Sequence, residues 1–237
     1  MFKAAPLGWL ALVFAYWLIM TVASVLPLVG VAVASIAVPA FSVGFMAAAR
    51  AASRGARLEL GLLFEGMRLA PRPQLALGVA YFACLALVLG GTALVDDGAL
   101  ARWMLTGKRP AEEVLQSGDF LAALACAAAL YVPVMMMFWF APALAAWHSV
   151  SAAKALFFSF FACLMNWRAF LAYGAVTAAV TVVLPFIVLT GLLLASGGAL
   201  KMSAMALVFP LLITLLPTLF ASFYASYRDV FGQDEIL

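Results

Sequence analysis

Residues 4–49 read AAPLGWLALVFAYWLIMTVASVLPLVGVAVASIAVPAFSVGFMAAA, a stretch bounded by Lys3 and Arg50 that holds no charged side chain. One helix of that length would run to about 70 Å, more than twice the thickness of a hydrocarbon core of about 30 Å. Two crossings joined by a turn fit instead, near Leu7–Leu26 and Val31–Ala49, with Pro27 and Gly30 supplying the turn. Outward from there the pattern recurs. Residues 73–95, 120–147, 169–200 and 202–227 are also long and uncharged, and place further crossings near Gln74–Val95, Phe120–Trp147, Ala169–Ala195 and Met202–Tyr224.

The whole chain agrees with this stretch. Of its 237 residues 68% are apolar and 10% charged, where a soluble domain has about half and about a quarter. A water-soluble protein is excluded. The expected fold is all-α: a polytopic transmembrane helical bundle of about six crossings, forming one domain over residues 1–237. A net charge of +3, from 13 Lys and Arg against 10 Asp and Glu, is too small and too dispersed for a nucleic-acid surface. Cys84, Cys126 and Cys163 lie far apart in apolar segments, which is neither a disulfide framework nor a CxxC site. A cleaved signal peptide ending near Ala32–Ala34 is the weaker reading of the first run, which is long enough to span.

Six crossings put both termini on one side. Lys3, Arg50, Arg54, Arg57, Arg68, Arg72, Lys154, Arg168 and Arg228 fall on that side, against Arg102, Lys108, Arg109 and Lys201 on the other. The positive-inside rule makes the richer side cytoplasmic and residues 96–119 a periplasmic loop. Asp96, Asp97, Glu112, Glu113 and Asp119 crowd that loop, but acids weigh little in the rule. Most of the six Trp fall near predicted helix ends, as interfacial aromatics should, while Trp139 sits inside the fourth crossing.

Two cytoplasmic connections carry a helical period of their own. Between Arg50 and Pro73, the residues Arg54, Arg57, Gly61, Glu65, Arg68 and Arg72 step by three or four, with Leu60, Leu63, Phe64 and Met67 on another face. This predicts an amphipathic interfacial helix over residues 57–70, ended by Pro71 and Pro73. Between His148 and Arg168 a thinner polar stripe of Ala155, Ser159, Ala162 and Asn166 opposes Leu156, Phe157, Phe160, Phe161, Leu164 and Met165. That segment reads as a second, deeper interfacial helix. An offset of 94 superposes the two stripes and brings Val38-Pro39 onto Val132-Pro133. The match suggests a parallel internal repeat, residues 31–95 and 120–195; chance alignment in so Ala-, Leu- and Phe-rich a chain is its rival.

The stretches Pro39–Gly55, Ala162-Cys-Leu-Met-Asn-Trp-Arg168 and Tyr224-Ala-Ser-Tyr-Arg-Asp-Val-Phe231 resemble an uncharacterised family of bacterial six-helix inner-membrane proteins. That family is more loosely similar to the membrane domains found beside some glycerophosphodiesterases. The resemblance covers most of the chain. It implies a bacterial cytoplasmic membrane and no assigned reaction.

The chemistry-bearing residues are sparse. No Asp, Glu, Lys, Arg or His falls in the middle of a predicted crossing, which speaks against proton-coupled transport. His148 is the sole histidine and has no HExxH around it. Met135, Met136 and Met137 point different ways around a helix and cannot face one soft metal. Glu65 and Arg68 are spaced as an ordinary i,i+3 ion pair. Pro39, Pro133, Pro142, Pro185, Pro210 and Pro217 lie inside crossings. They predict kinks or breaks, which serve either a substrate site or a purely structural bundle. Small residues four apart, such as Gly44 with Ala48 and Gly174 with Ala178, suit close helix contacts.

The expectation is therefore no catalytic residue, no metal and no cofactor. Arg54, Arg57, Arg68, Arg72, Trp167 and Arg168 are the expected lipid or partner contacts, with Asn166-Trp-Arg168 setting the depth of the fifth helix. The partners expected are membrane lipids, anionic at the cytoplasmic face, and a membrane protein, with no nucleic acid. A non-enzymatic scaffold, assembly factor or modulator fits first. The alternative is a transporter or channel for a neutral or lipid-like solute, which a cavity at the midplane would favour over a packed core. An enzyme working on phospholipid head groups comes third, for want of a nucleophile and base.

Overall fold

In hydrocarbon a backbone amide or carbonyl has no water to bond, so the apolar runs must close their hydrogen bonds within helices. A computed structural model describes residues 5–23, 25, 29–195 and 201–232, with side chains left aside at 192, 193, 195, 201–214 and 216. Helix is the only regular structure among the described residues. The elements are α1 (Pro6–Ala23), α2 (Val29–Ser53), a 3-10 turn (Leu60–Phe64), α3 (Glu65–Leu69), α4 (Pro71–Ala93), α5 (Ala99–Thr106) and α6 (Glu112–Leu115). They continue with α7 (Gly118–Phe138), α8 (Ala141–Trp147), α9 (Ala152–Met165), α10 (Trp167–Ala178), a π turn (Ala179–Val183), α11 (Leu184–Ala195) and α12 (Lys201–Phe231).

Five segments among the described residues are long and apolar enough to cross a membrane: α1, α2, α4, α7 with α8, and α10 through Gly191. They correspond to the first five expected crossings, and the sixth falls within α12. The protein is an all-α, multi-pass membrane protein. Two details differ from expectation, and a third bears on which prolines break a helix. Gly30 belongs to α2 rather than to the turn before it, and Pro27 lies outside the described residues. Pro71 and Pro73 open α4 instead of merely ending the connection, because a first-turn proline lacks only an N–H that has no helical partner anyway. α2 runs unbroken through a buried Pro39, and α12 through Pro210 and Pro217.

The chain divides into two compact units. The first comprises residues 1–15, 45–62 and 163–237, and the second residues 16–44 and 63–162. In the first unit, Trp9, Leu12 and Val13 of α1 are buried, and Gly8 leaves room for the side chain of Leu58. Phe45 stacks on Phe220 with centroids 3.7 Å apart, and the Tyr173 and Ser222 hydroxyls meet at 2.5 Å. Before Pro185 the helix widens, and the Leu184 N–H donates to the Ala179 carbonyl five residues back. A π turn is a common accommodation where proline removes the next donor.

In the second unit, close backbone contact is made by glycine. A Cβ on Gly44 would lie 2.6 Å from the Leu63 Cα, and one on Gly66 would lie 2.6 Å from the Ala40 carbonyl oxygen. A Cβ on Gly78 of α4 would press into the Ile36 backbone of α2 in the same way. Packing without a hydrophobic driving force depends on such small residues, because only close approach yields enough dispersion contact. α4 also runs along α7, where the Tyr81 and Tyr131 hydroxyls sit 3.2 Å apart and Tyr81 meets Phe138 edge-on. The segment 96–119 is ordered by α5 and α6, with Leu100, Phe120 and Ala123 forming a small buried cluster against Trp103 and Leu115.

Candidate functional site

The basic connection starts with a defined stop. At the end of α2, Gly55 adopts φ +70° while the Gly55 N–H donates to Ala52 and the Ala56 N–H to Ala51. This double bond pattern is a Schellman cap, and it turns the chain out of the helix. Residues 56–59 are consequently not helical, which corrects the expected helix over 57–70: a 3-10 turn begins only at Leu60 and α3 covers Glu65–Leu69. The faces differ as well. The buried side is Leu63, Gly66 and Ala70, whereas Leu60 and Met67 are exposed. Backbone contact at Gly44 and Gly66 sets that rotation.

Arg54, Arg57, Arg68 and Arg72 are all exposed, and none forms an ion pair with a described residue. Glu65 turns instead to Trp147, whose indole N–H donates to its carboxylate at 3.1 Å. The Arg68 pairing that the i,i+3 spacing offered is therefore not made. Trp147 also covers a buried contact of Val43, Ala70 and Ala146.

The second connection is helical as expected, and most of its large apolar residues are exposed, the side an interfacial helix turns to lipid. Ala155, Ser159 and Cys163 are buried, while Phe157, Phe158, Phe161, Leu164 and Met165 are exposed. Of the expected polar stripe, Ala155 and Ser159 are buried, Ala162 is half-buried and Asn166 is exposed. Burial pushes the Cys163 thiol up to about 12, which leaves it protonated and unreactive near neutral pH. Trp167 opens α10 and is half exposed, and the exposed Arg168 guanidinium carbon lies 5.4 Å from its ring centroid. That is a cation–π distance. Asn166 precedes them without a side-chain cap bond.

Ser159 repairs a break in the fourth crossing. α7 ends at Phe138 and α8 starts at Ala141, two residues after Trp139, with Pro142 in its first turn. The Ser159 hydroxyl accepts from the Phe140 N–H at 2.9 Å and donates to the Met136 carbonyl at 2.8 Å. Those two groups are partners one helical turn apart, so the hydroxyl is inserted into the ladder. Next to it, the Gln74 amide of α4 donates to the Pro142 carbonyl at 2.7 Å. Residues 141–146 are fully packed. Sequence reasoning gives Gln74 no role, although it is the one amide side chain in the run 73–95. Among the described residues no three His, Cys, Asp or Glu side chains gather as metal ligands, and Met135 is exposed beside half-buried Met136 and Met137.

No family model and no solved structure matches the chain. A protein of Burkholderia thailandensis, named as a probable inner membrane protein, is 38% identical over 241 residues, covering 99% of this chain and 88% of its own length. With its crossings in place and a relative this similar along nearly its whole length, the chain belongs to the same family as that inner-membrane protein.

Proposed function

We propose that the protein works by interaction in the bacterial inner membrane, as a non-enzymatic scaffold, assembly factor or modulator. Its basic connection holds anionic lipid or the acidic surface of a membrane partner. The observation that carries this reading is the set of exposed arginines, Arg54, Arg57, Arg68 and Arg72, on a connection fixed by the Schellman cap and the close glycine contacts. Guanidinium groups without carboxylate partners are available to phosphate. The excess of basic residues on this side argues that it and both termini are cytoplasmic. The exposed Phe face of α9, followed by Trp167 stacked on Arg168, suits the same leaflet's headgroup boundary. The small-residue packing of α2 against the connection favours interaction over transport.

A transporter or channel for a neutral or lipid-like solute is the second reading, favoured by the break at Trp139–Phe140 and the π turn before Pro185. The two are separated in nanodiscs. Replacing the four arginines together with glutamine removes about 1 kcal/mol of surface attraction per residue. Enrichment of phosphatidylglycerol over phosphatidylcholine around the protein should fall sharply. Unchanged enrichment, with no co-purifying membrane partner at native expression, would reject the interaction reading.

A further inference from the structure

The segment between α4 and α7 forms a cleft of about 370 Å³ whose lining includes Arg102, Trp103, Thr106, Lys108, Pro110 and Val114. We propose that this cleft, beyond the end of α4 remote from Arg72, binds an amphiphilic anion, a phosphate or carboxylate attached to an apolar group. Its size lies within the range of about 300–1,000 Å³ typical of small-ligand sites.

The platform beneath it is built rather than loose. The buried Asp96 carboxylate accepts from the Gly98 N–H at 3.0 Å and the Leu100 N–H at 2.7 Å, capping the start of α5. Arg102 donates to the Asp97 carbonyl at 2.9 Å, and Gly107, at φ +69°, closes the helix. Trp103 is held against Phe120 with centroids 6.1 Å apart.

Charge then selects the ligand. The lining holds two cations and no carboxylate. The nearby Glu112 is already engaged, by Arg109 at 3.0 Å and by Gln116. Arg102 spends one donor on a neutral carbonyl and keeps the rest of its fork, and the Lys108 ammonium has no partner among the described residues. Such a fork and an ammonium together suit an oxyanion. Trp103, Pro110 and Val114 supply the apolar wall, and exposed Met104 and Leu105 on α5 continue it outward as a surface at home against lipid. The ligand's source is a phospholipid headgroup or a free anion at that surface.

This inference is independent of the basic connection, and the test keeps them apart. The full chain in nonionic detergent is titrated calorimetrically with dihexanoylphosphatidylglycerol, with its phosphatidylcholine counterpart, and with inorganic phosphate as competitor. The anionic probe should bind saturably and about tenfold more tightly than the zwitterionic one, as charge-assisted contacts require. Lys108→Gln, which breaks no internal bond, should weaken it several-fold, and Arg102→Gln with Lys108→Gln should abolish it while melting remains cooperative. Replacing Arg54, Arg57, Arg68 and Arg72 with glutamine should leave this saturable binding in place. Competition by phosphate identifies a free-anion site, and its failure identifies a headgroup site. Absence of saturable binding by either anion overturns the proposal, as does equal binding after Lys108→Gln and the double substitution.

Discussion

Ser159→Ala isolates one hydroxyl that completes a broken helix. In the native structure the buried Ser159 hydroxyl accepts from the buried Phe140 and donates to the half-buried Met136, at 2.9 and 2.8 Å. A net hydrogen bond contributes about 0.5–1.5 kcal/mol in water-soluble proteins, and side-chain bonds between membrane helices average about 0.6 kcal/mol. Loss of both should cost about 1–2 kcal/mol, less whatever the backbone recovers by closing Phe140 directly onto Met136. For a chain of this length each kcal/mol moves the melting temperature by about 2–4 °C, so a fall of about 2–8 °C is expected. The control is Ser53→Ala. That hydroxyl also donates to a carbonyl, Arg50 at 2.7 Å, but at an exposed helix end where water replaces it; its effect should stay within about 0.5 kcal/mol. Both variants are melted in the same detergent and followed by size-exclusion chromatography. A Ser159→Ala shift no larger than that of Ser53→Ala would refute the bridging role.

Gly44→Ala and Gly66→Ala each place a methyl group 2.6 Å from an atom of the backbone packed against it, and should destabilise by about 1–3 kcal/mol or more and lower folded yield. Gly90→Ala in α4 meets nothing within 4 Å and should instead stabilise slightly, by up to about 1 kcal/mol. The same melting assay reads all three, and equal effects would refute the close-contact account. Trp167→Ala should reduce folded membrane levels by removing an interfacial anchor, while Arg168→Lys should be tolerated because the cation–π contact and snorkelling need only a long cationic stem. A stable Arg168→Lys protein that loses a specifically bound lipid would show that Arg168 is a phosphate ligand instead.

The crossings are legible in the sequence because hydrocarbon imposes a length and forbids charge, so runs such as 4–49 and 73–95 admit little else. The connections are harder, for a physical reason visible at Ser159. The amphipathic pattern sets Ala155, Ser159 and Ala162 opposite the Phe residues, and an interfacial helix turns its Phe face to lipid and its polar stripe to water. Where the solvent is lipid, large apolar side chains lose nothing by facing outward, and small or polar ones gain by meeting another helix. The periodicity defines a face correctly and leaves open which side that face takes. In the first connection the arginine period runs past Gly55, whose positive φ ends α2; Gly44 is legible from its four-residue spacing with Ala48, whereas Gly66, which brings the chain back against α2, has no periodic signature. The exposed arginines themselves, Arg54, Arg57, Arg68 and Arg72, are legible as surface residues from charge alone.

The neighbours of a helix also explain why proline has three different outcomes here. Each proline removes one N–H and crowds the preceding turn, a local cost that is the same everywhere. The response of the helix depends on the neighbours that can supply a replacement. Around Pro39 the helix stays continuous, and the Ser42 hydroxyl donates to the Pro39 carbonyl at 2.7 Å. Before Pro185, where residues 167–191 have no buried position, the backbone widens into a π turn and the Thr181 hydroxyl donates to the Thr177 carbonyl at 2.8 Å. At Pro142 two other helices reach in, and the helix breaks where Gln74 of α4 donates to the Pro142 carbonyl and Ser159 of α9 bonds the Phe140 amide and the Met136 carbonyl. A break costs least where polar side chains already meet it, so Gln74 and Ser159 are what turn a tolerated proline into a fixed corner, and a chain lacking both should carry the fourth crossing through as a kinked but continuous helix.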